Sequence, residues 1–331
     1  MQKITVSTFL EQILQSNISY LSRAITLIES TNNSDQTKAL ELLQLCLPHA
    51  NNSLRIGITG VPGVGKSTFI EALGTYLTQQ LNKKVAVLAV DPSSSIHKGS
   101  ILGDKTRMDN LSKNKNAFIR PSPAGNSLGG IAKKTKEAII LCEAAGFEII
   151  LIETVGVGQS ETLVHNMVDF FLLLKIAGTG DALQGIKRGI MEMADTIVIN
   201  KADGSNIENS NFAKIEFKKA LHLYPAKNNN WTPKVTTCSA LNNTGIENTW
   251  GIMEAFFKLT KKNGWFEKTR ITQNKKWLLQ SVNQQLQDHF YKHKKVKIEL
   301  EKQLKNMEAQ QITPFEASKK LIEAYLSKNS Q

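Results

Sequence analysis

Residues 60–67 read Gly-Val-Pro-Gly-Val-Gly-Lys-Ser, lying between an apolar, β-prone run at 54–59 and an amphipathic stretch that opens near Thr68. No other feature constrains the fold as tightly. GxxxxGK[ST] between a strand and a helix is the pattern of a phosphate-binding loop. Its glycines let the backbone wrap closely around phosphate oxygens, its N–H groups point inward, and the helix N-terminus adds partial positive charge. The residues expected to line a triphosphate are Gly60, Val61, Pro62, Gly63, Val64, Gly65, Lys66, Ser67 and Thr68. In such a loop Lys66 reaches the β- and γ-phosphates and the Ser67 hydroxyl holds Mg2+.

The surrounding sequence supports this placement. Short β-prone runs at 54–59, 85–91, 117–120, 148–153, 170–177, 196–200 and 234–238 alternate, for the most part, with helical segments. Strand and helix in alternation imply an α/β fold with a mainly parallel central sheet flanked by helices, because parallel neighbours need crossover connections. Ligands of such sheets sit at the carboxyl ends of the strands.

Helical periodicity dominates on either side. Apolar residues recur at helical spacing over 7–29 and 34–47, predicting two helices separated at Asn32-Asn33. Beyond Gly245 helices return, with a stripe of Trp277, Leu278, Val282, Leu286 and Phe290, and a last helix opened by the capping sequence Thr313-Pro314-Phe315-Glu316. The expected organisation is an N-terminal helical extension at 1–50, a P-loop domain at 51–260 and a C-terminal helical arm at 261–331. The arm's stripe needs a partner surface, either the chain's own nucleotide domain or a second copy.

Three further motifs fall at strand ends. Asn200-Lys201-Ala202-Asp203 supplies side chains that tell guanine from adenine: Asp203 can accept from the guanine N1–H and N2 amine, which adenine does not offer. Asn200 would tether the loop and the stem of Lys201 cover the ring, while the backbone N–H groups of Ser239, Ala240 and Leu241 are candidates for guanine O6. Glu153-Thr154-Val155-Gly156 ends an apolar run, where an acid that serves magnesium or orients the attacking water belongs, and where the Gly156 N–H can sense the γ-phosphate. Asp91 and Asp104 are two more carboxylates expected near the metal, Asp104 alternatively in a surface ion pair with Lys105 or Arg107.

Composition narrows the classes. Lys and Arg exceed Asp and Glu by 41 − 29 = 12, but the excess is spread over helical stretches after residue 258 without a nucleic-acid-binding motif, so it reads as a solvated face rather than a nucleic-acid groove. The three cysteines are far apart, which supports neither a zinc knuckle nor a disulfide framework. No stretch has the length and apolarity of a membrane span, and a cytoplasmic location is expected.

The motifs VDPSSS, GDKTRM, RPSPAGNSLGGIA, ETVGVGQSE, GDALQGIKRGIMEMAD and NKADG occur in this order, and with LSRAITLIES they resemble the MeaB/ArgK family of the SIMIBI class of P-loop GTPases. The resemblance covers most of residues 5–260. It implies GTP hydrolysis with Mg2+ and bound GTP or GDP, coupled to the chaperoning of an adenosylcobalamin-dependent acyl-CoA mutase, typically methylmalonyl-CoA mutase. It further implies a homodimer held by C-terminal helices. By matching motif, Asp91, Asp104 and Glu153 resemble the magnesium and switch acids, Gln159 lies in the second switch, and Lys187 resembles a lysine of a further switch loop. Lys66, Asp104, Glu153 and Lys187 are therefore the expected catalytic set. Alternatives are a clamp in which hydrolysis is only a timer, and, from an older family label, a kinase of an amino-acid transport system.

Overall fold

All seven β-prone runs become strands: β1 Leu54–Gly60, β2 Val85–Val90, β3 Ala117–Arg120, β4 Ile149–Thr154, β5 Phe170–Ile176, β6 Thr196–Asn200 and β7 Lys234–Thr237. They form one sheet in the order β3-β2-β4-β1-β5-β6-β7, and each neighbouring pair is parallel. The structure is a computed structural model that describes residues 4–90, 108–121, 128–154, 160–178 and 188–327.

Both faces of the sheet are covered, so its central strands are apolar throughout rather than alternating. In β4, Ile150 and Ile152 turn into one core while Ile149 and Leu151 turn into the other. The first core is closed by α1 (Val6–Leu14), α2 (Ile18–Glu29), α3 (Asn33–Cys46) and α6 (Leu128–Ala144), with Ile13, Leu21, Ile25 and Leu42 buried in it. The opposite core is closed by α4 (Lys66–Gln79) and α10 (Ile246–Lys262) through Phe69, Leu73, Trp250, Met253 and Phe256. The other helices of this part among the described residues are α5 (Asp109–Lys113), α7 (Ser160–His165), α8 (Arg188–Met193) and α9 (Ile207–Leu221).

One expectation is corrected. The apolar pattern over 7–29 is not one helix, because Ser16 takes φ +60° and Asn17 starts α2 afresh, its side chain accepting the Ser19 and Tyr20 amides. The break has a tertiary cause: Ser16 Oγ donates to the carbonyl of Ala145 at 2.8 Å and accepts from Lys84 Nζ at 3.0 Å. Periodicity survives such a break because both halves face the same core.

Two compact units divide the chain, Met1–Ile271 and Thr272–Gln331. The lead-in helices α1–α3 belong to the first unit, as does the opening of α11 (Trp265–Lys292). Arg270 fastens that opening to the amino edge of the sheet. Its guanidinium donates to both oxygens of Asp169 at 2.8 and 2.6 Å, to Asn51 O at 2.7 Å and to Ser53 O at 2.6 Å. Beside it, Arg55 and Glu143 form a buried bidentate pair at 2.8 and 2.9 Å. In the second unit α12 (Lys294–Glu308) packs on α13 (Pro314–Leu326), and Thr313 caps α13 by accepting the Glu316 amide. No helix among the described residues is long and apolar enough to cross a membrane.

Candidate functional site

The carboxyl ends of β1, β4 and β6 lie at one edge of the sheet, and those residues singled out in the sequence that the structure describes gather there. The phosphate loop leaves β1 at Gly60 and enters α4 at Lys66. Two of its glycines, Gly63 and Gly65, hold φ of +78° and +91°, a left-handed backbone that side-chain-bearing residues rarely adopt. A Cβ on Gly65 would lie 2.8 Å from Asn200 Nδ2, so the close approach of the two loops itself demands glycine. Val64 is fully buried and pins the loop to the core, while Val61 is exposed.

Lys66 Nζ donates to the carbonyls of Gly60 at 2.9 Å and Val61 at 3.3 Å, curled back across the loop it serves. Burial pulls its ammonium below the ordinary lysine range, and the carboxylates of Glu153 and Glu161 pull in the opposite direction. Ser67 Oγ donates to Glu153 Oε1 at 3.1 Å, which joins the first turn of α4 to the end of β4. Glu153 is buried at the point where the apolar strand delivers it.

On the base side, Asn200 Nδ2 donates to the carbonyl of Val64 at 2.9 Å, and its Oδ1 accepts the Ala240 amide at 3.1 Å and the Cys238 thiol at 3.3 Å. Lys201 takes φ +58°, and the Ala202 amide bonds the Cys238 carbonyl at 3.0 Å, so the loop turns back along β7. Asp203 accepts a short hydrogen bond from Ser239 Oγ, whose oxygen also accepts the Asn242 amide at 3.2 Å. Of the three amides expected to meet guanine O6, Ser239 N is bonded to Thr244 O at 3.0 Å and Ala240 N to Asn200. The Leu241 amide is the one of the three without a partner among the described residues.

The structure thus brings together Gly60 to Thr68, Glu153, Asn200, Lys201, Asp203 and Ser239 to Leu241. Asp91, Asp104, Gly156, Gln159 and Lys187 lie outside the described residues.

A family model described as methylmalonyl Co-A mutase-associated GTPase MeaB matches residues 21–295. The chain belongs to the MeaB family. Escherichia coli GTPase ArgK is 45% identical over 287 residues, covering 87% of this chain and 86% of that protein. The mouse methylmalonic aciduria type A homolog, mitochondrial, is 42% identical over 319 residues, covering 93% of this chain and 77% of its own. Among solved structures, that of LAO/AO transport system kinase superposes with a TM-score of 0.77 at 36% identity and 98% coverage of both chains. Membership makes this chain a GTPase.

Two features of this MeaB-family chain went unrecognised in the sequence. Glu161, in the first turn of α7, is a buried second carboxylate acting on Lys66; it stands inside the ETVGVGQSE motif but carries no signal of its own. Glu71 of α4 accepts the Asn110 and Leu111 amides at 2.9 and 3.2 Å and so caps α5 from another helix, a tertiary contact that no local pattern announces.

Proposed function

We propose that this chain is a magnesium-dependent GTPase chaperone of an adenosylcobalamin-dependent acyl-CoA mutase, methylmalonyl-CoA mutase being the client in view, which gates cofactor loading and protects the mutase. The observation that carries the reading is the match, over residues 21–295, to a family described by its mutase association. The cytoplasm is the compartment we assign to it.

The site's chemistry fits the ion. Ser67 Oγ and Glu153 Oε1 are hard oxygens 3.1 Å apart, near the roughly 2.9 Å between neighbouring oxygens around octahedral Mg2+. Ser67 and Glu153 would hold the ion, with Asp91 and Asp104 as further acids. Bound there, magnesium supplies positive charge to the β- and γ-phosphate oxygens. Lys66 leaves the Gly60 and Val61 carbonyls for the phosphates and neutralises charge developing in the transition state. Asp203 exchanges the Ser239 hydroxyl for the guanine edge, and the Lys201 stem covers the ring. Lys187 is assigned to a loop that responds to the partner.

The partner arrangement includes a second copy. Leu278, Val282 and Leu286 repeat every fourth residue along α11 and are 62%, 43% and 59% exposed, an apolar stripe suited to isologous pairing. Sedimentation should find a dimer that Leu278→Lys/Leu286→Lys dissolves.

Adding cobalamin-dependent mutase to the purified GTPase should accelerate turnover, and GTP should slow inactivation of the mutase. A turnover rate indifferent to saturating mutase would remove the chaperone reading. Protection that persists with a nonhydrolysable GTP analogue would favour the clamp instead. Transfer of the γ-phosphate to protein rather than water would favour a kinase.

A further inference from the structure

The backbone ladder between β1 and β4 ends at Ile58↔Glu153. One step further, β1 pairs with β5 through Thr59↔Leu173, and β4 pairs with β2 through Val90↔Thr154. At that step side chains join β1 to β4: Thr154 Oγ1 donates to Thr59 Oγ1 at 2.8 Å, with Thr59 1% and Thr154 0% exposed.

We propose that Thr59 and Thr154 are positioning residues, a hydroxyl latch that holds the exits of β1 and β4 in one axial register and thereby sets the separation of Ser67 from Glu153. The proposal rests on the reading of Ser67 and Glu153 as the magnesium pair.

The fold does not require hydroxyls at these positions. Valine has the shape of threonine, Ile150 and Ile152 on the same face of β4 as Thr154 are apolar and buried, and burying two hydroxyls costs desolvation that their mutual bond offsets with little surplus. What valine does not supply is a directional side-chain tie at the step where the ladder between the two strands ends. Thr59 stands one residue before the phosphate loop departs, and Thr154 directly follows Glu153. Sliding one strand exit against the other moves the Glu153 carboxylate along the first turn of α4, and catalytic geometry fails on the 1 Å scale.

The test compares Thr154→Val, Thr154→Ser and the double variant Thr59→Val/Thr154→Val in the full chain. The readouts are kcat and KM for GTP, the magnesium concentration for half-maximal rate, and the melting temperature. Thr154→Val should lower kcat about 10-fold and raise the magnesium requirement while KM for GTP stays put, and Thr154→Ser should restore both. The double variant leaves neither hydroxyl unpaired, so it should melt with the wild type and still turn over slowly. Recovery of wild-type rate together with stability in the double variant would make the pair merely structural and overturn the latch. Wild-type kcat and magnesium requirement in Thr154→Val would do the same. If Thr154→Val alone does not fold, the double variant carries the comparison. Ser67→Ala and Glu153→Gln are run alongside: wild-type rates there overturn the magnesium pair itself, whereas slow controls beside fast threonine variants overturn the latch alone.

Discussion

Asn200 donates its side-chain amide to the carbonyl of Val64 at 2.9 Å across 136 residues of sequence, while its oxygen receives the amide of Ala240 at 3.1 Å. One buried side chain therefore holds the phosphate loop, the end of β6 and the loop after β7 in a single arrangement. Neither loop moves without breaking a buried hydrogen bond, so the proposed phosphate and base sites should respond together to a change at this residue.

Asn200→Ala strips the Val64 carbonyl and the Ala240 amide of this partner, and each buried orphan costs about 1–3 kcal/mol. We expect denaturant unfolding at lower concentration by the equivalent of about 2–4 kcal/mol and GTP affinity weakened at least about 10-fold by calorimetry. Loss of stability with unchanged affinity would uncouple the two loops.

Gly65→Ala meets two obstacles, a φ of +91° and a Cβ 2.8 Å from Asn200 Nδ2, whereas a Cβ at Gly63 meets nothing within 4 Å among the described residues. In nucleotide-free protein, Gly65→Ala should lower the melting temperature clearly more than Gly63→Ala. Equal melting temperatures would mean that the loop relaxes without strain.

Asp203→Asn replaces an acceptor at the guanine edge by an amide that also donates. GTP should bind at least about 100-fold more weakly, and xanthosine triphosphate, which carries a carbonyl acceptor in place of the 2-amine, should bind better than GTP. Competition between the two nucleotides decides this, and unchanged GTP affinity removes Asp203 from the base site.

Glu137 on α6 gives the stability a pH dependence. Burial pushes its carboxyl up to about 7 from an ordinary value of 4.5, against the opposing pull of Lys133 and Lys134. With the folded value above the unfolded one, the folded chain holds the extra proton between these values, and stability falls as pH rises from about 4.5 to about 7. Glu137→Gln removes that loss, so its stability relative to wild type should grow between pH 5 and pH 8 in urea titrations. A difference independent of pH would assign Glu137 an unshifted carboxyl.

The strands were legible because buried parallel strands are continuous apolar runs, and Ile149 to Ile152 announce themselves as such. The phosphate and base loops were legible because their chemistry is carried by residues close together in the chain, Gly60 to Ser67 and Asn200 to Asp203. The break at Ser16 was not, since its causes, Lys84 and the Ala145 carbonyl, lie far along the chain. Glu161 was equally silent: an acid in a helix's first turn looks like an ordinary cap until burial places it near Lys66.

By itself, the order of residues determined the parallel α/β class, the presence of a triphosphate cradle and the preference for guanine, because periodicity and short motifs are local properties of the chain. Only the tertiary structure decided that Asn200 bridges the loops, that Ser67 meets Glu153, that Ser239 occupies Asp203, and that Thr59 and Thr154 join where the ladder between β1 and β4 stops. Those contacts link residues 36 to 136 positions apart. Their existence depends on strand order and packing, which bring together groups that no sequence window contains.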